Sequence, residues 1–206
     1  MNPAPLIFNA SVIISNTGRL LAALTWVLVG SSCRQGVTEL SHPPIARYVA
    51  ELRRDLQEHG AAYNPDIACY VDLTRPDNSY RFYVLDLAHG TILLKGMCLN
   101  GLTDAWGQVR YSNAINSNCS SRGLACIGEL YTGAYGRAFR LYGLEASTRN
   151  LRKRAVVLHS WAGVPARPSS AHMIQSQGCP TLNPQVLDTV AYYIARSPKP
   201  LLLRFH

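Results

Sequence analysis

The sequence predicts a mainly β domain with flanking helices. Short runs of alternating apolar and polar residues recur along the chain, and this is the period of a half-buried strand. Connections of a few turn residues separate the first of these runs, as in an antiparallel meander. Stretches with apolar residues at helical spacing lie before the strands and near their end. The 206 residues are enough for one domain with a single sizeable core.

The strand-like runs are bounded by turn residues. They are residues 67–73, 81–87, 91–99, 125–131, 137–144, 154–161 and 200–205. The connection 101–122 is rich in Ser, Asn and Gly and lacks periodicity. It is long for a passive loop, so we expect either an active-site flap or a mobile surface segment.

Two amphipathic helices are predicted. The first begins after Pro44 and ends at Gly60, and the second is opened by Asn183-Pro184 within "NPQVLDTVAYYIAR". Their apolar faces carry Ile45, Val49, Leu52 and Leu56 in the first helix, and Val186, Val190 and Ile194 in the second.

The N-terminal segment indicates export. Residues 20–32, "LLAALTWVLVGSS", are apolar, follow Arg19, and are too short to span a bilayer comfortably. They suit the apolar region of a secretory signal peptide or an N-terminal anchor. "GSSC" faintly resembles a lipobox, which makes lipidation at Cys33 an alternative, and a buried N-terminal helix is another. We expect a location in the periplasm or cell envelope, with membrane contact only through a leader or lipid anchor.

The charge balance favours an anionic partner. The formal net charge is +8 and the pI is about 9.4, so nucleic acid, a membrane surface or an acidic polymer such as a cell wall would be attracted. The densest basic cluster, "RNLRKR" at 149–154, is short, and we therefore predict no nucleic-acid partner. The alternative is a protein that is basic without such a partner.

Cysteine usage leaves one thiol over. The chain has six cysteines: Cys33, Cys69, Cys98, Cys119, Cys126 and Cys179. Export would place them in an oxidising compartment, and removal of Cys33 would leave an odd number. A local Cys119–Cys126 disulfide and a Cys69–Cys98 disulfide across adjacent strands are plausible pairs. No CxxC spacing supports a zinc site, so no metal is predicted.

Cys179 lies in an unusual stretch, "IQSQGCPTLNP". It could be half of a disulfide, a buried apolar filler or a nucleophile. Gly178 allows a tight turn and close approach of a substrate, and the N–H groups of Gly178 and Cys179 could then face one oxyanion. His159 ends the apolar run "AVVL" twenty residues earlier, where burial would hold its ring at the edge of a sheet. An imidazole beside the thiol would lower the pKa of Cys179.

These residues carry a family resemblance. "VVLHSW" followed by "SQGCPTL" resembles the signature of bacterial L,D-transpeptidases with YkuD-type catalytic domains. "GELYTGAYGRAFRLYGLE" and "RNLRKRAVVLH" are similar to a subgroup known as murein L,D-transpeptidase catalytic-domain proteins. The similarity runs from about Asp66 to the C-terminus, roughly two thirds of the chain. The implied organisation is a signal peptide or anchor at 1–32, a linker and amphipathic helix at 33–62, and a β-sandwich-type catalytic domain at 63–206.

The resemblance implies a reaction on peptidoglycan. Cys179 would attack the diamino-acid carbonyl of a stem tetrapeptide and expel the terminal D-alanine, with His159 as the base. The thioester would pass to an amine of another stem peptide or be hydrolysed, as in an L,D-carboxypeptidase. The backbone carbonyl of Ser160 would orient the histidine, and Ser176 would steady the loop. No cofactor is implied, and carbapenem-type β-lactams are expected to acylate Cys179.

Other positions have two interpretations. Four residues match subgroup motifs or could meet the substrate: Glu129, Tyr131, Arg140 and Arg152. A structural ion pair between Glu129 and Arg140 is the alternative. Arg152 and Arg154 could meet the carboxylates of stem peptides, although arginines of this kind more often form a solvated face. Departures from the family pattern occur at Gln177, Thr181, Leu99 and Asn100. Those at Gln177, Leu99 and Asn100 support a rival function, a catalytically inactive cell-wall-binding module of the same fold.

Overall fold

Nine strands form one sheet in residues 43–206, the part of the chain that the computed structural model describes. They are β1 Ile67–Val71, β2 Phe82–Asp86, β3 Thr91–Gly96, β4 Cys98–Leu99, β5 Gly123–Gly133, β6 Gly136–Gly143, β7 Val157–Ser160, β8 Thr181–Leu182 and β9 Leu202–Phe205. The chain is therefore mainly β, as predicted. The predicted leader at 1–32 and Cys33 lie outside the described residues.

The strand order curls the sheet into a nearly closed barrel. The order is β3-β2-β1-β9-β5-β6-β7-β8-β4. The β1–β9 and β7–β8 pairs are parallel, and β1, β2 and β3 form the predicted antiparallel meander. β3 and β4 stand at opposite ends of this order, yet only Met97 separates them in the chain. This connection brings the two ends of the sheet together.

Two details of the strand prediction are wrong. Residues 91–99 form two strands, because the chain leaves β2 at Met97 and pairs instead with β8. The two-residue strand β8 was not predicted, since Thr181–Leu182 is too short to show any alternation. This short strand matters because it places the residues after Cys179 between β7 and β4.

The two helices confirm the predicted amphipathic segments. α1 spans Ile45–His59 and is followed by a 3-10 turn, Gly60–Ala62, while α2 spans Pro184–Arg196. The Asn183 side chain caps α2 by accepting a hydrogen bond from the Gln185 N–H at 3.0 Å. Among the described residues, no helix has the length and apolarity needed to cross a membrane.

Both faces of the central strands are buried. In β2, Phe82 and Val84 join one apolar cluster, whereas Tyr83 and Leu85 join the other. The first cluster lies under α2 and includes Val186, Leu187 and Val190; the second lies under α1 and includes Tyr48, Val49 and Leu52. Burial of each large apolar side chain contributes roughly 1.5–3 kcal/mol. The helix α1 thus packs directly on the sheet.

The predicted disulfides are absent from the structure. Cys69, Cys98, Cys119, Cys126 and Cys179 are all free thiols. Cys69 and Cys98 are not on adjacent strands, because β1 pairs with β2 and β9 while β4 pairs with β8. Cys126 packs against the cluster under α1, whereas Cys119 lies beside Gly178. Burial raises the pKa of the Cys69 and Cys98 thiols, so these two are inert core residues.

Candidate active site

A cleft of about 550 Å³ opens where β7 and β8 meet the β5–β6 hairpin. Its walls also come from residues 116–118 of the long connection and from 174–177, which precede Cys179. The connection predicted as a flap or a surface segment therefore contributes to the cleft. Its lining residues include Asn116, Asn118, Tyr131, Tyr135, Arg154, Ala155, His159, Trp161, Ser176, Gln177, Cys179 and Thr181.

Cys179 follows a backbone turn that requires glycine. Gly178 has φ +101°, and a Cβ placed on it would lie 2.5 Å from the Cys119 carbonyl oxygen. Any other residue would be strained and would also clash with backbone. The turn leaves the Cys179 side chain half-buried at the cleft wall, with Sγ 3.9 Å from the Ala155 carbonyl oxygen.

Ser176 ties this turn together. Its N–H donates to the Asn100 carbonyl at 2.7 Å, and its Oγ donates to the Cys179 carbonyl at 2.8 Å. The Gly178 N–H in turn donates to Ser176 Oγ at 3.1 Å. The Gly178 N–H is therefore already engaged, which corrects the expectation that it faces an oxyanion together with the Cys179 N–H.

His159 is fixed from three sides. On β7 it pairs with Ala138 of β6 and with Thr181 of β8, so it lies inside the sheet. Its Nδ1 is 3.1 Å from the Ser160 carbonyl oxygen, the contact that the family resemblance implied. The Tyr135 ring stacks on the imidazole with centroids 4.8 Å apart. Because a carbonyl can only accept, Nδ1 carries the proton and Nε2 is left as the basic nitrogen.

The basic nitrogen is bound to Thr181 in this structure. Thr181 Oγ1 lies 3.0 Å from His159 Nε2 and 3.3 Å from the Cys179 carbonyl oxygen. The Cys179 thiol donates to the Ala155 carbonyl, not to the imidazole. Cys179 and His159 thus share the cleft without a hydrogen bond between them.

Burial keeps both groups neutral. Desolvation raises the pKa of the Cys179 thiol, although the Val157 N–H and the Arg154 charge partly offset it. Desolvation also lowers the pKa of His159, against a smaller opposite effect of its bond to Ser160. The resting pair is therefore a thiol and a neutral imidazole. This corrects the expectation that the imidazole would lower the pKa of Cys179.

Ala155 and its neighbourhood are strained. Ala155 has φ +55°, and Asn116 and Asn118 on the facing loop have φ +60° and +53°. Such values are uncommon for residues other than glycine, and they cluster at functional sites. All three residues line the cleft, so the strain coincides with the candidate site.

The predicted substrate-binding residues divide into two groups. Tyr131 lines the cleft, and the Arg140 guanidinium stacks over its ring at 4.0 Å. Glu129 pairs with Arg140 at 3.2 Å and accepts from the Tyr142 hydroxyl. Arg152 stacks over Tyr142 at 5.2 Å. Glu129, Arg140 and Arg152 are not among the lining residues, so the alternative of a structural ion pair fits Glu129 and Arg140.

The sequence did not predict some of the lining residues. Thr181 was noted only as a departure from the family pattern, although Cys179 and Thr181 are two residues apart and strand alternation would place them on one face. Asn116 and Asn118 gave no signal, because nothing in an aperiodic loop shows which residues return to a distant strand. Trp161 lies in the quoted "VVLHSW" motif, but no role was predicted for it. Within residues 43–206, no group of three or more His, Cys, Asp or Glu side chains could hold a metal ion.

Comparison with known proteins gives a family for most of the chain. Residues 42–199 match the family described as L,D-transpeptidase catalytic domain. The match begins just before α1 and includes every lining residue of the cleft. No curated protein sequence matches the chain.

Two solved structures resemble the chain more distantly. The helical cell shape determining protein Pgp2 from Campylobacter jejuni has 16% sequence identity and a TM-score of 0.44, covering 73% of this chain and 53% of that chain. The structure of the Ldtfm-avibactam carbamoyl enzyme has 13% identity and a TM-score of 0.39, covering 67% of this chain and 48% of that chain. The chain spans about half the length of each.

Proposed function

The chain belongs to the L,D-transpeptidase catalytic domain family, and on that premise we propose that it is a peptidoglycan L,D-transpeptidase in which Cys179 is the nucleophile. The observation that carries the proposal is the shared cleft of Cys179 and His159. A free thiol lies there on a glycine turn, and an imidazole with a defined basic nitrogen lies on the adjoining strand.

The reaction begins with transfer of the thiol proton to His159 Nε2. The sulfur attacks the diamino-acid carbonyl of a stem tetrapeptide and forms a C–S bond. When the C–N bond to the terminal D-alanine breaks, His159 returns the proton to the leaving nitrogen. An amine of a second stem peptide then attacks the thioester, loses a proton to His159, and releases the cysteine thiol. Hydrolysis replaces this last step if water attacks instead.

A side-chain rotation precedes the attack. At rest the thiol faces the Ala155 carbonyl and Thr181 occupies His159 Nε2. Rotation of the Cys179 side chain toward Nε2, with the Thr181 hydroxyl turning to its second acceptor, the Cys179 carbonyl, would form the reactive pair. Hydrogen bonds of this kind are often incomplete until substrate is bound.

The developing oxyanion needs a donor close to the sulfur. Because the Gly178 N–H is bound to Ser176, we assign the Cys179 N–H as the donor to the oxyanion. Ser176 acts by position: its bonds to the Asn100 and Cys179 carbonyls hold the turn in the orientation that presents that N–H.

A peptidoglycan assay tests the proposal. The protein is incubated with stem tetrapeptide, and the products are separated by mass into released D-alanine, cross-linked dimer and hydrolysed tripeptide. Wild type and Cys126→Ala are expected to release D-alanine, and Cys179→Ala is not. Cys126 is a suitable control because it is another half-buried free thiol outside the cleft lining. D-alanine release by Cys179→Ala at the wild-type rate would refute the assignment of the nucleophile.

A cell-wall-binding module is the second candidate. It is favoured by the bond between His159 Nε2 and Thr181, which leaves the thiol without a base in this structure. A module of this kind would bind stem peptides and release no D-alanine, so the same assay separates the two functions.

Export forms part of the proposal, because peptidoglycan lies outside the cytoplasmic membrane. The apolar segment 20–32 would supply the leader or anchor. The protein produced in its own host is isolated from the envelope fraction, and mass spectrometry determines its N-terminus. Detection there tests this point.

A further inference from the structure

Arg154 gives the cleft its charge. Among the lining residues in the described part of the chain it is the one Arg, and no Lys, Asp or Glu accompanies it. His159 adds no charge, because its pKa is lowered by burial. An anionic group of a ligand would therefore find a single attractive position in this cleft.

The guanidinium is held in place without being neutralised. Nη1 donates to Ser121 Oγ at 2.9 Å, and Nη2 donates to the Cys119 carbonyl at 2.5 Å. No carboxylate of residues 43–206 lies within ion-pair distance of Arg154. A guanidinium has five N–H donors, and these two bonds leave others to bind a ligand.

Arg154 also lies beside the cysteine turn. Its Nη2 is 3.3 Å from the position that a Cβ on Gly178 would occupy. Its charge acts on Cys179, since it favours the thiolate against the effect of burial. A ligand anion bound here would thus be close to the sulfur and to any carbonyl that the sulfur attacks.

From this geometry we propose that Arg154 is a specificity-determining residue that binds the α-carboxylate of the donor's terminal D-amino acid. The identity of the donor rests on the proposed function. In a stem tetrapeptide this carboxylate is separated from the scissile amide nitrogen by one carbon. A carbonyl placed at the Cys179 sulfur therefore keeps the carboxylate close to the cysteine turn, where the Arg154 guanidinium can reach it. The planar guanidinium can bind it through two parallel hydrogen bonds.

A second carboxylate could meet the same residue. A diaminopimelate stem carries one on its side chain, whereas a lysine stem does not. Peptides that vary the terminal group and the diamino acid separately distinguish these two sources.

The test measures binding rather than turnover. Calorimetric titrations use the Cys179→Ala protein and four tetrapeptides: a free C-terminal acid or a C-terminal amide, each with lysine or diaminopimelate. We expect the acids to bind about 10- to 100-fold more tightly than the amides with either diamino acid, the range for a lost charge-assisted hydrogen bond. Adding Arg154→Gln to the Cys179→Ala protein is expected to abolish this ratio. The amide affinities should stay within about twofold of those measured with Cys179→Ala alone, because the amides never use the charge.

Arg152→Gln is the matched control. It removes the same charge two positions away, from an exposed side chain that stacks on Tyr142 outside the cleft. The acid-to-amide ratio is expected to persist in this variant. Arg154→Lys keeps the charge without the planar pair of donors, and should retain only part of the ratio.

Three outcomes would overturn the proposal. They are equal binding of acids and amides, a ratio that survives Arg154→Gln, and a preference that follows diaminopimelate rather than the C-terminus. An equal loss of acid and amide binding in Arg154→Gln would mean a purely structural role, through Ser121 and Cys119. Failure of the proposed chemistry would appear elsewhere, as absent D-alanine release by wild type while the acid-to-amide ratio persists.

Discussion

His159 Nε2 is bound to the hydroxyl of Thr181 at 3.0 Å, and it makes no hydrogen bond to the Cys179 thiol. Burial raises the pKa of Cys179 and lowers the pKa of His159. The site therefore holds a neutral thiol beside a neutral imidazole. It does not hold a preformed thiolate–imidazolium pair. This distinction determines how the reactivity of Cys179 depends on pH.

Alkylation of Cys179 by iodoacetamide should rise steadily with pH. The raised pKa means that the thiol stays protonated beyond its ordinary range, so the thiolate that reacts accumulates only at still higher pH. The rate at the Cys179 peptide is measured by mass spectrometry between pH 6 and 10. A high, flat rate from pH 6 upward would indicate an ion pair and would contradict this account.

Tyr135→Ala should slow acylation of Cys179 by a carbapenem. The Tyr135 ring stacks on the His159 imidazole, and such a stack is worth about 0.5–1.5 kcal/mol, so loss of the ring should cost up to about tenfold in rate. Tyr135 is 62% exposed, and the melting temperature should change little. Tyr135→Phe keeps the ring and should keep the rate. Equal slowing in both variants would mean that the hydroxyl matters, not the stack.

Gly178→Ala should destabilise the fold and disable the site. The added Cβ would combine a positive φ with a 2.5 Å contact to the Cys119 carbonyl, and such strain costs of order 1–3 kcal/mol before the clash is counted. Chemical denaturation gives the change in free energy of unfolding.

Gly90→Ala is the control for Gly178→Ala. Gly90 also has a positive φ, +67°, but open space where the Cβ would lie. It should therefore lose less stability and retain Cys179 acylation. Equal losses in the two variants would show that the contact with Cys119 is unimportant.

Much of this architecture follows from the sequence because its signals are local. The apolar face of α1, the Asn183 cap of α2 and the alternation in β2 each depend on residues close together in the chain. Cys179 and His159 could also be predicted as site residues, because a glycine before a cysteine and a histidine after an apolar strand are features of the local sequence.

The rest depended on contacts between distant segments. The curl of the sheet decides that β4 pairs with β8. This pairing places Cys98 away from Cys69. The expected low thiol pKa assumed a contact between Cys179 and His159, but burial and the competing bond to Thr181 decide the protonation instead. Neither effect has a signature in the local sequence.

The described cysteines should all be alkylated without prior reduction. Denatured protein treated with iodoacetamide is expected to carry a label on Cys69, Cys98, Cys119, Cys126 and Cys179, which are free in the structure. Peptide mapping checks each site. A linked Cys119–Cys126 or Cys69–Cys98 peptide pair would contradict the structure and restore the disulfide pattern expected from the sequence.

The most direct test of Cys179 as a nucleophile is the intact mass of the protein after incubation with a carbapenem. If Cys179 is an acyl-accepting nucleophile, wild type and Cys126→Ala should each gain the mass of one drug molecule, and Cys179→Ala should gain none. Absence of an adduct on wild type, while the denatured protein still shows a free Cys179, would contradict the catalytic account and leave the wall-binding function in its place.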